Sequence, residues 1–251
     1  MKNNVYRVVA SLEAFGTVEA VVEGLELILA NLPPHDKRRV FLTAYLIASR
    51  NVVRLKNEGY YEDPEWVSRY SALFGDQYRQ VLLSYEREEF DRVPGVWLLA
   101  FNEGHNERLL MPQHLALGMN AHMGRDLPYA ITEVGLDDNP CRYRDHNRIN
   151  DALLPSIAQS QQRLCHETYP AMLRSCLAAI RPVFVRVGIH AFRTGRELAW
   201  QTGTAVLRAT TEEQRRALWR AHESRAIRRA QRIIDLSRWR AVGSLQRLEL
   251  S

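Results

Sequence analysis

The chain has 251 residues, 46% of them hydrophobic and 25% charged, a balance that excludes a disordered chain and permits a sizeable core. No apolar run approaches the roughly 20 residues that span a bilayer, and charges at Arg7 and Glu13 interrupt any signal-peptide core, so a cytoplasmic protein with no membrane partner is expected. The positive excess is concentrated in the Arg-rich region between Arg208 and Arg247; without this region the chain is roughly neutral.

Period-2 alternation and Asn-Gly or Asp-Gly turns are missing, whereas helical spacing is strong. Val18, Val21, Val22, Leu25, Ile28, Leu29 and Leu32 predict a helix capped by Thr17 and stopped at Pro33-Pro34. A second runs from about Asp36 to Lys56, with Asp36 as its N-cap and Val40, Phe41, Ala44, Tyr45, Ala48, Val52 and Leu55 as its stripe. Asp63-Pro64 opens a third, through Trp66, Tyr70, Phe74, Tyr78 and Leu82. Pro94 opens a short helix with Trp97 and Phe101, and Pro112 opens another. After a turn at Asp137-Asp138, helices follow from about Arg144 to Tyr169 and from Pro170 to Leu207, with Pro155 and Pro182 expected to kink or split them. An Arg-rich amphipathic helix, about Thr211 to Val242, comes last and either packs on the rest or extends from it. The expected architecture is all-α: a single domain (1-251, core about 15-208) of about eight helices around a central cavity.

One stretch breaks the apolar pattern: Gly118-Met119-Asn120-Ala121-His122-Met123-Gly124-Arg125-Asp126-Leu127-Pro128. On one helix His122 and Asp126 lie about 40° and 6 Å apart, on the same face. Gly118 lies one turn earlier, where a missing side chain leaves room for a ligand or a neighbouring helix. His114 is about 12 Å up the axis, too far to share a metal ion with His122, and Asn120 points about 200° away, toward another helix. Pro128 should kink or end the helix just after Asp126. The pair has two readings. It either holds the bundle together, or serves chemistry: a histidine oriented by a carboxylate for acid–base work, or a divalent metal (zinc, iron or manganese) on His122 and Asp126. A metal would need further ligands, from Asp36, Asp145, His146, His190 or Glu197.

The run Gly-Met-Asn-Ala-His-x-x-x-Asp-Leu-Pro resembles the signature of a bacterial family of helical proteins known only as a domain of unknown function. Asp63-Pro64-Glu65-Trp66-Val67, Phe74, Tyr78, Pro94, Trp97, Asp145, Ile149-Asn150, Arg196 and Ala199-Trp200 fit that family in order, over roughly residues 15 to 208. Members commonly have Ile-Asn after the histidine, where this chain has Met123-Gly124. The resemblance implies a helical fold and no particular reaction. His122, Asp126 and Pro128 are also similar to the zinc-dependent phospholipase C and S1/P1 nuclease group, which implies a zinc role for the pair. The next metal-binding histidine and the later His-x3-Glu of that group are missing, so the resemblance extends at most to a reduced site.

Other features are weaker. Asp145 is read as an N-cap, or with Asn150 as facing the cavity of His122; Tyr45 and Trp97 are core aromatics, or line that cavity with His114 and Gly118. Cys141, Cys165 and Cys176 lack CxxC spacing and are read as buried or idle thiols. No nucleotide-binding, zincin or α/β-hydrolase motif occurs, and the acidic residues among the C-terminal arginines disfavour nucleic acid as a partner. The leading expectation is a small-molecule enzyme, with His122 as acid/base and Asp126 orienting it, for isomerisation, cyclisation or hydrolysis of an apolar or aromatic substrate, in the setting of specialised-metabolite biosynthesis. A metal-dependent hydrolase on the same pair and a non-enzymatic binding or scaffold protein are the alternatives. A homo-oligomer through the C-terminal helix is a further expectation.

Overall fold

The computed structural model describes residues 4–236 except 107, 137–138 and 169–170; within that span, side chains are described except at 105, 154, 158, 161, 164–168, 171–185 and 187. The turn at Asp137-Asp138, the side chains of Cys165, Cys176 and Pro182, the helix junction at 169–170 and the last helix beyond 236 lie outside the described residues. Among the described residues all regular structure is helical. The order is α1 (Asn4–Ser11), α2 (Val18–Asn31), α3 (Arg38–Asn57), α4 (Pro64–Glu86), α5 (Gly95–Asn102), α6 (Met111–Ala121), a π-helical turn (His122–Asp126), α7 (Leu127–Val134), α8 (Cys141–Thr168), α9 (Ala171–Arg208) and α10 (Glu212–Asp235).

The helix starts follow the caps. Thr17 Oγ1 accepts the Ala20 N–H at 3.2 Å, Asp63 Oδ1 accepts that of Trp66 at 2.8 Å, and Thr211 Oγ1 accepts that of Gln214 at 3.2 Å. Three details differ from expectation. Helix α1 is additional; it is held by burial of Val5 and Val9 against α2 and α4, since so short a helix is marginal alone. The N-cap of α3 is Lys37, but Asp36 still reaches in to accept the Arg38 N–H at 2.9 Å and grips the Arg38 guanidinium. Helices α8 and α9 continue through their prolines rather than splitting.

Two hydrophobic clusters organise the packing. One gathers Leu25, Phe41, Tyr78, Trp97, Leu117 and Ala226; the other gathers Val52, Tyr70, Leu127, Ile131, Leu153 and Ala199. Phe74 packs against both. Ala121 belongs to the first and Leu127 to the second, so the π turn between them spans the seam. Helix α10 packs on α6 rather than extending away. Asn120 Nδ2 donates to the Ala226 carbonyl at 2.8 Å, Gln113 Nε2 donates to that of Ile233 at 2.6 Å, and Trp219 stacks on Tyr129. Ala226 and Ala230 are buried by this contact, while Arg216, Arg220, Arg225, Arg228 and Arg232 face solvent. Among the described residues no helix is long and apolar enough to cross a membrane.

Candidate functional site

The site is built at the junction of α6 and α7. A Cβ on Gly118 would lie 2.4 Å from Cγ of Phe41, so this glycine admits the Phe41 ring of α3. The room it leaves is therefore filled by a neighbouring helix, not by a ligand. Pro128 has no N–H for the Gly124 carbonyl, and the chain widens into a π turn in which the Leu127 N–H bonds to the His122 carbonyl. His122 and Asp126 stay on one side of that turn, with Nδ1 and Oδ2 2.8 Å apart.

Asp126 is fully buried and gathers donors. Trp97 Nε1–H reaches its two oxygens at 3.0 and 3.2 Å, and Arg125 Nη1 reaches Oδ1 at 3.1 Å. A carboxylate so supplied accepts from Nδ1–H of His122, which leaves the Nε2 lone pair free. Burial pushes the His122 pKa down, against the opposing pull of Asp126, so the ring is neutral near pH 7. Phe74 stacks on the imidazole at 3.6 Å between centroids, and Tyr45 meets it edge-on at 4.4 Å. Nε2 is buried with no hydrogen-bond partner among the described residues.

His122 lines a cavity of about 100 Å³, together with Phe41, Tyr45, Phe74, Met123 and Arg196. Of the sequence candidates, Tyr45 lies here; burial, with the Asp126 charge adding to it, pushes its phenol pKa up and keeps the hydroxyl protonated. Trp97, His114 and Gly118 do not line this cavity: they border a separate one of about 20 Å³, to which Phe41 also contributes. Trp97 instead positions Asp126, and burial pushes the His114 pKa down to about 4. Asp145 is neither an N-cap of its own helix nor a cavity residue. It lies inside α8 and accepts the N–H groups of Glu62 and Asp63 at 2.9 and 2.7 Å, pinning the entry to α4. Asn150 borders an exposed groove beside Arg144 and Asp151.

The donors do not fit a metal ion. Among the described residues no three His, Cys, Asp or Glu side chains converge, and the His122 nitrogen nearest Asp126 is committed to it. Asp36 is paired with Arg38, Glu197 accepts from Tyr143 at the surface, and His190 is exposed.

A second buried histidine, His146, lies behind Tyr70 and Arg196, which line the same cavity. Arg196 Nη2 donates to the His146 carbonyl at 2.7 Å and approaches its Nδ1 at 3.2 Å, and the Tyr70 hydroxyl lies 2.9 Å from the same Nδ1. A guanidinium can only donate, so Nδ1 of His146 is the acceptor and Nε2 carries the proton. Burial, then the Arg196 charge, push the His146 pKa well down. In the sequence Arg196 fits the family pattern but has no evident role. The one signal was an arginine beside Ala199 on an otherwise apolar face.

The chain belongs to a family of unknown function, DUF5995, whose model matches residues 18–236. No curated protein and no solved structure matches it.

Proposed function

We propose that the protein is a small-molecule enzyme in which His122 acts as the base. The observation that carries this reading is Nε2 of His122, a buried lone pair without a partner among the described residues, on a ring whose tautomer Asp126 fixes. Building such a group among Phe41, Tyr45 and Phe74 disfavours folding relative to an all-apolar core. A ligand in the cavity would present a C–H or O–H to Nε2. The imidazolium formed on proton transfer would be stabilised by Asp126 at 2.8 Å. With one base in an apolar cavity, isomerisation fits best: the proton leaves one carbon of the ligand and returns to another. Hydrolysis would in addition require a bound water.

The test is incubation in D2O with a library of small apolar carbonyl compounds, whose α-protons are acidic, read by mass spectrometry. Wild type should introduce deuterium or form an isomer, and a folded His122→Gln protein should do neither. Equal exchange by both proteins, or none by wild type, would overturn the reading and leave a binding or scaffold role.

A further inference from the structure

Arg196 is 3% exposed, yet no carboxylate among the described residues pairs with it. Its contacts are to neutral groups: the His146 carbonyl and ring, beside the Tyr70 hydroxyl. Nε of its guanidinium is buried without a partner among the described residues. Elsewhere the same chain neutralises its buried arginines. Arg38 holds Asp36 and Glu86, both at 2.6 Å, and Arg79 holds Asp76 at 2.5 Å. A guanidinium remains protonated at any physiological pH, and burying one without an anion is strongly disfavoured. Tyr61 and Tyr70 cannot supply that anion, because burial raises both phenols and keeps them neutral. Arg196 lines the His122 cavity, whose walls are otherwise mostly apolar.

We infer that this cavity binds a small apolar monocarboxylate, with its carboxylate on the Arg196 guanidinium and its apolar body extending toward His122. This deepens the proposed function by naming a ligand class for the same site. Helix α4 sets the scale. Tyr70 adjoins His146 and Arg196, and Phe74 stacks on His122, so the two ends of the ligand lie about one helical turn, roughly 5–6 Å, apart along that helix. That span is a few carbon–carbon bonds. The cavity volume, about 100 Å³, is of the order of the 150 Å³ engineered cavity that takes benzene. The fitting ligand is thus an arylacetic or short branched-chain acid rather than a long-chain lipid. Arg196 would position the carboxylate, and the carbon next to it or one further would face Nε2.

The experiment is calorimetric titration of the full-length protein with phenylacetate and benzoate, each against its uncharged amide. Wild type should bind the acids about tenfold or more tightly than the amides, the scale of one charge-assisted pair. Arg196→Gln should bring acids and amides to nearly equal affinity, and Arg196→Lys should retain part of the preference. Amides binding as well as acids to wild type, no binding of either, or a preference that survives in Arg196→Gln would overturn the inference. Should Arg196→Gln fail to fold, the wild-type acid–amide comparison decides alone. Acid binding that persists in His122→Ala, without turnover in wild type, would sink the proposed catalysis and leave this inference standing. Turnover of uncharged ligands with no preference for acids would do the reverse.

Discussion

His122 and His146 are both buried and both neutral near pH 7, one lining the cavity and the other in contact with Arg196 beside it, yet they are opposite tautomers. The partner decides. Asp126 can only accept from His122, so Nδ1 keeps the proton and Nε2 is an acceptor. Arg196 can only donate to His146, so Nδ1 is the acceptor and Nε2 carries the proton. A histidine in a helical core is therefore not one chemical object. The residue across from Nδ1 determines whether its other nitrogen can take a proton or give one.

Among single substitutions, the contrast depends most on the carboxylate. Asp126→Ala strands the donors of His122, Trp97 and Arg125, and should cost about 3–5 kcal/mol in chemical denaturation. A loss under about 1 kcal/mol would mean that Asp126 does not hold the ring. Acid comes next. The buried histidines have pKa values lowered on folding, so the folded state binds fewer protons. Their stabilisation is complete above pH 6.5 and is lost as the pH falls toward 4. His114 and His222, both pushed down to about 4 chiefly by burial, should each account for roughly 3 kcal/mol over that window, with His122 and His146 acting in the same direction. Denaturation curves at pH 7.5, 5.5 and 4.5 check this, and a stability that is flat or rising toward acid would contradict it.

A smaller change sharpens the carboxylate end. Gly118→Ala would drive a methyl into Phe41, whose ring meets His122 edge-on, and should cost about 1–3 kcal/mol in thermal unfolding without altering the tautomer. The smallest effect on stability is expected at the cationic end. Arg196→Met removes an unpaired buried charge, so stability should stay within about 1 kcal/mol of wild type. The His146 pKa should then rise, because the Arg196 charge helps to lower it. Long-range proton–nitrogen correlation spectra read both histidines directly: a proton on Nδ1 of His122 and on Nε2 of His146 is expected, and matching tautomers would refute the comparison.

Much of the helical architecture is legible from local rules. Thr17, Asp63-Pro64 and Thr211 mark helix starts because a cap and the residues it serves are neighbours in sequence. The same locality makes the His122–Asp126 contact legible, together with Asn120 facing elsewhere, since both follow from helical geometry. Asp145 misleads because its partners, Glu62 and Asp63, lie more than eighty residues away in sequence. Trp97 is the core aromatic that one of its two readings gives, but its role in holding Asp126 is not legible, because that partner lies far along the chain.

An all-helical chain, the positions of most helices, and a histidine and an aspartate sharing one face before a proline are all legible without a structure. These follow from periodicity, capping and the missing N–H of Pro128, which act within a few residues. It takes the packed molecule to show that Phe41 fills the space at Gly118, that α10 folds back on α6, and that Arg196 is buried at the His122 cavity with no anion among the described residues. Those facts depend on burial and on partners brought together across the chain, and a charge reveals its lack of a counter-ion only once its surroundings are assembled.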